Sequence, residues 1–488
     1  MRLPPWTWKI LRSRKTRAAA LATAFVCLAG IVLFYIGANW ESERVARQRL
    51  DRWRALKIQT NPNAYFLAAA AEPDLDLFSH PAMQATLREK IFQKSKALVR
   101  LGSETSMAEG KPANLTTWVD APETTDEAAG RRWLDSDRAA EVFWLELRPA
   151  FGRPDAAWPV RDLESVGAAY QPMAGLSRYG CRHAVAEMVT GNMPEALSDT
   201  EALIGMQRLT SLSRPCLFSG VVASLMGYGV RNTIWEGIAR DLWDDAALAA
   251  FERDLSALDP QRAAVLSLAG EMAFAESVLK GSGEASPAID WTEIWTEESN
   301  EWMPRLRGLW SAFRPRGLAR LEEIHYYDDL VNEGLLKDGQ PRTSFTLDDF
   351  SKFQRLAGMP AAVIEYVPKG GTPHSITPEP PWRSISLAAR MALTGQAGLG
   401  LLRSGIAVER YRLKHGHVPE TLDRLVPEFL PAVPEDPFSG KPLRYRVKSD
   451  GSPWIWSYGI NAVDDEGVPG TSEATGDLIW ITRPPLHQ

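Results

Sequence analysis

Few residues in this chain have the types and spacing that catalysis or metal binding requires. Histidine, the side chain that most often moves protons near neutral pH, occurs only 7 times in 488 residues. His415 and His417 alternate around Gly416 without a third ligand at a metal-site spacing, so a solvated turn is favoured over a zinc site. Cys181 and His183 are two residues apart, and such positions on a helix point to different sides, which argues against a nucleophile–base pair.

Two acidic pairs offer the other candidate chemistry. Glu322 with Glu323 and Asp328 with Asp329 flank His325, and a hydrolase with two carboxylates can be drawn from them. Adjacent carboxylates on a helix are more often a solvated face. The sequence contains no HExxH, G-x-S-x-G, phosphate-binding or dinucleotide-binding motif. We therefore assign no catalytic residue and predict that the protein is not an enzyme.

Composition excludes further classes of protein. The 55 basic and 61 acidic residues give a formal net charge of −6, so no basic surface indicates nucleic acid as a partner. Three cysteines are too few for a disulfide framework or a cysteine-rich zinc domain. Cys181 and Cys216 could pair in an oxidising compartment, but two buried thiols on separate helices are favoured. Hydrophobic residues make up 45% of the chain, as in an ordinary globular protein.

The amino terminus predicts a membrane anchor. Residues 18–38 carry no charge, and at about 1.5 Å per residue a helix of this length crosses a bilayer core of roughly 30 Å. Residues 1–17 form a basic tail that the positive-inside rule leaves in the cytoplasm. Residues 39–57 read as a solvated juxtamembrane helix. We expect a single-pass protein of a bacterial inner membrane, with the bulk of the chain in the periplasm.

A cleaved signal peptide is the alternative interpretation of the same segment. Ile36-Gly37-Ala38 is a tolerable cleavage site. The apolar run is longer than the usual signal-peptide core of about 7 to 15 residues, so an uncleaved signal anchor is favoured.

Residues 58–367 predict an irregular α-helical array. On both sides of Gly191-Asn192, apolar residues recur at three- and four-residue spacing, which predicts an antiparallel helix hairpin. Its turn weakly resembles that of a tetratricopeptide repeat. Further helices are predicted at 245–258 and 262–280. Arrays of this kind often bind segments of partner proteins, so we expect a protein partner, whose identity the sequence does not give.

A proline-rich linker at 368–382 leads into a predicted α+β domain at 383–488. A long apolar helix at 384–413 precedes a turn at 436–440. Three short strands follow, at 443–447, 454–458 and 478–482. The predicted fold class is therefore mainly α: a transmembrane helix, an irregular helical array, and a long helix packed on a small antiparallel sheet.

The residues of this last region resemble a known family. The runs Gly416-His417-Val418-Pro419, Asp436-Pro437-Phe438 and Ser457-Tyr458-Gly459, with Gly476-Asp477-Leu478-Ile479, are similar to the ectodomain of the major pseudopilin of type II secretion, a type IV pilin-like fold. The similarity covers about 385–483. The membrane segment lacks the Gly-Phe processing site of pseudopilins, so the resemblance implies the fold and not assembly into a pseudopilus. The whole chain resembles envelope proteins of planctomycete- or verrucomicrobia-type bacteria.

The pseudopilin resemblance also implies a calcium site in the loop between the last strands. Calcium takes six to eight oxygen ligands from carboxylates, amides and backbone carbonyls. The ligands implied here are Ser457, Asn461, Asp464, Asp465 and Asp477. The alternative is a polar hairpin whose aspartates cap turns.

Two functions follow from these observations. The favoured one is a membrane-anchored envelope protein whose helical ectodomain binds a partner. Its pseudopilin-like, calcium-binding tail would be a docking module associated with secretion. The alternative is an envelope hydrolase acting on glycan or peptide, with its site in the helical region. An enzyme requires a pocket with convergent polar groups, whereas a binding array presents a shallow apolar groove.

Overall fold

A computed structural model gives the fold of this protein. It describes residues 14–55, 75–76, 127–136, 138–153, 156–157, 163–212, 216–272, 316–357, 381–468 and 476–481. Over these residues the protein is mainly helical with small antiparallel sheets near the carboxyl terminus, which confirms the predicted fold class in outline. The chain forms two compact units, residues 1–60 with 275–328, and residues 61–274 with 329–488.

The helices are numbered in chain order. They are α1 (Arg14–Ala55), α2 (Glu127–Ser136), α3 (Arg138–Phe151), α4 (Leu163–Val189), α5 (Met193–Leu212), α6 (Leu217–Ala239), α7 (Asp245–Leu255), α8 (Pro260–Met272), α9 (Arg316–Asp329), α10 (Leu347–Leu356) and α11 (Pro381–His415). A π-helical turn, Leu330–Leu335, follows α9, and a short 3-10 helix occupies Leu422–Leu425.

The described strands are short, and each pairs with a neighbour in chain order. They are β1 (Leu75–Asp76), β2 (Ala156–Ala157), β3 (Leu336–Lys337), β4 (Gln340–Pro341), β5 (Glu435–Asp436), β6 (Lys441–Pro442), β7 (Arg444–Val447), β8 (Pro453–Ser457) and β9 (Leu478–Ile481). The largest sheet is β7-β8-β9, antiparallel throughout, and β1 pairs with β2 in parallel.

Helix α1 is the exposed apolar helix that the amino-terminal sequence predicts. Only 6% of its most apolar window is buried. Helix α11 is also long and apolar enough to cross a membrane, but 61% of its most apolar stretch is buried, as in the core helix of a globular protein. A helix that is apolar all round and exposed is typical of a membrane span or a signal sequence. The chain therefore has one exposed N-terminal helix suited to either role.

The second half of α1 is less solvated than its charged sequence predicts. Trp53 is fully buried, and its indole Nε1 donates to Asp328 Oδ1 at 3.3 Å. Arg49 Nη1 lies 3.1 Å from Asp328 Oδ2, so this carboxylate is paired and not free for catalysis. The Gly317 amide donates to Asn39 Oδ1 at 2.8 Å. One face of residues 39–55 is thus packed on α9, since regularly spaced Ala and Trp residues interrupt the charged ones.

The predicted helix hairpin is confirmed in the second unit. Helices α4 and α5 are joined at Gly191, whose φ of +84° is the left-handed conformation that glycine adopts without strain. The Asn192 amide donates to the Glu187 carbonyl at 2.8 Å and closes the end of α4. Helix α6 then packs on the pair, with the Cys181 thiol against Gly229.

Helix α11 lies in the same compact unit as the helical array, whereas the sequence analysis treats residues 383–488 as a domain of their own. One apolar core contains side chains of α3–α7, of α11 and of the sheet β7-β8-β9. Ion pairs along α11 add to the contact: Arg403–Glu252, Arg410–Asp245 and Arg412–Asp241, each at 2.7 Å. Most of the predicted linker, 368–380, lies outside the described residues, and α11 begins at Pro381.

The carboxy-terminal sheet is positioned by α11. Trp480 of β9 is almost fully buried, and its indole lies over Gly405, where an added Cβ would be 2.1 Å from Nε1. The Trp235 indole on α6 donates to the Ile481 carbonyl at 2.6 Å and fixes β9 to the array. The turn between β5 and β6 stands where the Asp-Pro-Phe-Ser-Gly sequence predicts it.

Candidate functional site

The five residues of the implied calcium site do not converge on one point. Ser457 is fully buried, and its hydroxyl donates to Asp436 Oδ1 at 2.6 Å, in the β5–β6 turn. Asp464 Oδ2 accepts from Arg444 Nε and Nη2 at 3.1 and 3.0 Å. Asn461 Nδ2 donates to Asp465 Oδ2 at 3.0 Å. Asp465 therefore contacts Asn461 through its carboxylate and Asp477 through its backbone amide.

The loop 461–468 is held against an aromatic face of the sheet. Trp456 Nε1 donates to Asp464 Oδ1 at 3.0 Å. An added Cβ at Gly467, whose φ is +80°, would lie 3.5 Å from the Trp454 ring and 3.6 Å from the Trp456 ring. The hydrogen bond between Trp456 and Asp464 accounts for the position of the aspartate in the loop that follows β8. Hydrogen bonds from Trp456 and from the Glu466 amide hold the pKa of Asp464 below its usual value, although partial burial opposes them.

Asp477 is the most perturbed carboxyl of the loop. It accepts from the Gly467 amide at 2.7 Å and from the Asp465 amide at 3.3 Å. Burial raises its pKa to about 6, and the nearby charges of Asp465 and Asp464 add to the increase. Like charges brought together in this way favour a bound cation. The set therefore fits calcium only in part, through Asp465 and Asp477, and residues 469–475 of the same loop lie outside the described residues.

A buried polar cluster in the helix hairpin is the second candidate. His183 on α4 and Asp199 on α5 are both almost fully buried, and His183 Nδ1 lies 2.6 Å from Asp199 Oδ2. The other carboxylate oxygen, Oδ1, accepts from Trp144 Nε1 and from Arg148 Nη1, each at 2.7 Å. Three helices thus supply one hydrogen-bonded network, and Asp199 is its centre.

The second ring nitrogen of His183 faces two glutamates. Nε2 is buried without a hydrogen-bond partner. It lies 3.7 Å from Glu187 Oε1, one helical turn along α4, and 4.0 Å from Glu141 Oε1 on α3. Burial raises the pKa of Glu187. The rings of Trp133 and Tyr179 pack beside the imidazole, with centroids 6.2 and 6.0 Å away.

The spacing of these residues carries a signal that the sequence analysis missed. His183 precedes Gly191 by eight residues and Asp199 follows it by eight. Positions equidistant from the turn of an antiparallel hairpin face each other, so a polar pair on the apolar faces predicts a buried contact. The prediction that Cys181 and His183 point to different sides agrees with the contacts, since Cys181 faces Gly229 on α6.

The remaining candidate residues have structural surroundings. His415 and His417 pack on Tyr411, with centroids 4.2 and 5.7 Å away, and both are exposed at the end of α11. Cys181 and Cys216 are buried and unpaired, and burial raises the pKa of each thiol to about 11. In the part of the chain that the structure describes, no three His, Cys, Asp or Glu side chains are gathered closely enough to hold a metal as they stand.

Comparison with family models, with curated proteins and with solved structures finds no match for this chain. The pseudopilin resemblance therefore rests on the quoted residues alone, and what it implies about calcium and secretion remains a proposal.

Proposed function

We propose that this protein is anchored in a bacterial inner membrane by α1 and presents its second unit in the periplasm as a partner-binding ectodomain. The observation that carries the proposal is the exposure of the apolar part of α1. Side chains such as Leu21, Phe25 and Leu33 are 68–72% exposed. Their transfer from water into lipid is favourable by about 25 cal/mol for each Å² of apolar surface.

The packing of α1 favours an uncleaved anchor over a signal peptide. The candidate cleavage site at 36–38 lies inside one continuous helix. An added Cβ at Gly317 would come within 2.3 Å of the Ala38 carbonyl oxygen, so this stretch of α1 is in close contact with α9. Cleavage requires an extended and accessible substrate, and this segment offers a packed helix.

Membrane fractionation tests the anchor. Full-length protein should remain in the pellet after an alkaline carbonate wash, with the intact mass of the uncleaved chain. The pair Leu28→Arg with Val32→Arg places two charges in the apolar run and should move at least half of the protein into the soluble fraction. The matched control is Leu225→Arg, since Leu225 is 54% exposed on α6. If the wild-type protein is instead soluble and its mature chain begins near residue 39, the segment is a cleaved signal peptide.

We further propose that the carboxy-terminal loop binds calcium weakly through Asp465 and Asp477, as the pseudopilin resemblance implies. Burial of the Asp477 carboxyl, which raises its pKa to about 6, supports the proposal together with the nearby charge of Asp465, because a bound cation would favour the ionised form. Its use as a docking module associated with secretion rests on the resemblance alone.

Thermal unfolding of full-length protein in detergent tests the loop. Millimolar calcium should raise the melting temperature relative to chelator, because a ligand that binds only the folded state stabilises it. Asp465→Asn and Asp477→Asn should each abolish the increase. Asp450→Asn, at an exposed turn of the same sheet, should keep it. If calcium does not change the melting temperature of the wild type, the calcium proposal is wrong and the anchor proposal is unaffected.

A further inference from the structure

The buried ring nitrogen Nε2 of His183 has no hydrogen-bond partner, although its surroundings are rich in charge. The side chain is 1% exposed, and Nε2 makes no contact short enough to be a hydrogen bond. A buried polar atom without a partner is unfavourable relative to a bonded one. A bound ion is one of the groups that satisfies such an atom.

The rest of the imidazole is held as in a metal-binding histidine. Nδ1 lies 2.6 Å from Asp199 Oδ2. Trp144 and Arg148 fix the other oxygen of Asp199, so the carboxylate cannot turn away. Histidines that bind metals almost always donate their second ring N–H to a carboxylate or carbonyl, which orients the ring and strengthens the ligand. Because Asp199 holds Nδ1, Nε2 is the ring nitrogen that faces the two glutamates.

The distances from Nε2 to the glutamates are close to those between ligands of one ion. Two donors at about 2.0–2.1 Å from a tetrahedral zinc lie roughly 3.3 Å apart. The observed separations are 3.7 Å to Glu187 Oε1 and 4.0 Å to Glu141 Oε1. His183 and Glu187 are i and i+4 on one helix, which places both side chains on the same face.

Charge also favours a cation in this cluster. The carboxylates near His183 are those of Glu141, Glu187 and Asp199. Arg148 links Asp199 to a fourth carboxylate, since it lies 2.7 Å from Asp199 and 2.6 Å from Glu195. Glu187 is partly desolvated. Asp199 and Glu187 are the buried members of this set, whereas the side chains of Glu141 and Glu195 are 30% and 40% exposed. A cation beside Glu187 would compensate its desolvated charge.

We propose that His183, Glu187 and Glu141 bind a divalent transition-metal ion of the zinc type, with Asp199 as the positioning residue. The donors are not gathered tightly enough to count as a formed site. Binding would require both glutamate side chains to move toward Nε2, and Glu141, which is 30% exposed, provides the route from solvent. One nitrogen and two carboxylate oxygens suit zinc or a neighbouring first-row ion. The ion would join α3 to the α4–α5 hairpin. The proposal is independent of the anchor and of the calcium loop.

Titration of chelator-stripped full-length protein in detergent with Zn²⁺, and with Co²⁺ as a spectroscopic probe, tests the site. We expect one ion per chain and visible Co²⁺ absorption typical of low coordination number. Glu187→Gln and Glu141→Gln should each weaken binding at least tenfold. Glu146→Gln, an exposed position on the same helix α3, is the matched control and should leave affinity unchanged. Circular dichroism verifies that each variant is folded.

Three results would overturn the proposal. The first is the absence of saturable Zn²⁺ binding by the wild type. The second is unchanged affinity in the folded Glu141→Gln and Glu187→Gln variants. The third is that Zn²⁺ does not stabilise the wild type, whereas acidification below about pH 6, where free histidine becomes protonated, does so through Glu187. In that case His183 is an ion-pair partner and not a ligand. Excess calcium should not compete with Zn²⁺, which separates this site from the loop.

Discussion

At the residue scale, the polar side chains that matter are buried ones that organise their neighbours. Asp199 accepts hydrogen bonds from Trp144 and Arg148, and it orients His183. Asp436 plays the same part in the carboxy-terminal sheet, where it accepts from the hydroxyls of Ser457 and Ser439 at 2.6 and 2.8 Å. Neither aspartate stands in a motif. Their importance follows from burial, which single-sequence patterns indicate poorly.

Removal of the Asp199 carboxylate should be severely destabilising. Asp199→Ala removes the acceptor of Trp144 and the partner of His183 Nδ1, and it leaves Arg148 with Glu195 alone. Loss of one member of a buried ion pair decreases the free energy of unfolding by about 3–5 kcal/mol. Urea unfolding measures the change. The control, Asp245→Ala, removes the 57%-exposed partner of Arg410 and should decrease it by no more than about 1 kcal/mol. Equal effects of the two substitutions would contradict the central role of Asp199.

Glu271 should make stability depend on pH. Its carboxylate accepts from the Leu217 amide at 2.9 Å, and burial raises its pKa above 4.5. Because the folded-state pKa is higher than the unfolded one, its contribution is complete below about pH 4.5 and is lost as pH rises through the folded value.

Glu271→Gln keeps the hydrogen-bond acceptor without the charge. It should therefore be more stable than wild type at pH 7, and this gain should vanish near pH 4, as unfolding curves across that range would show. Glu420→Gln, at an exposed position, should leave the pH profile unchanged. A gain for Glu271→Gln that is equal at both pH values would exclude the titration of Glu271.

At the element scale, the sequence predicts what local periodicity and turn chemistry determine. The α4–α5 hairpin, α11 and the three strands of the last sheet lie within a few residues of their predicted bounds. The buried face of residues 39–55 and the shared core of α11 with the array were missed, because both depend on contacts between distant segments. The proline-rich composition at 368–382 suggested a domain boundary, but composition does not reveal which surfaces pack together.

The glycines of α11 test how closely the sheet approaches this helix. At Gly405 an added Cβ would be 2.1 Å from the Trp480 indole, which is held in the core, so Gly405→Ala should be destabilising by about 1–3 kcal/mol. At Gly400 the nearest atom is the Pro434 Cβ at 3.3 Å. Gly400→Ala should be close to neutral, since the gain in helix propensity of about 0.5–1 kcal/mol offsets mild crowding. Calorimetry measures the melting temperature of both variants. A lower melting temperature for Gly400→Ala than for Gly405→Ala would contradict this packing.

At the scale of the whole molecule, the chain has an exposed apolar helix in one unit, and the other unit is helical with a small antiparallel sheet. The carboxy-terminal loop was located correctly from sequence, but its hydrogen bonds were not. The aromatic face of β8 that holds it becomes visible only once β7, β8 and β9 are paired. Hydrophobic length alone predicts the exposed apolar helix α1, and its role as an uncleaved anchor stays a prediction.

Site-directed labelling in spheroplasts tests the proposal that α1 spans the membrane with the second unit outside. The background should be low, because Cys181 and Cys216 are buried with raised pKa values and Cys27 lies in the apolar run. A membrane-impermeant maleimide should label Asp450→Cys in intact spheroplasts and Ser13→Cys only after lysis. Labelling of Ser13→Cys from outside, or of Asp450→Cys only after lysis, would contradict the account.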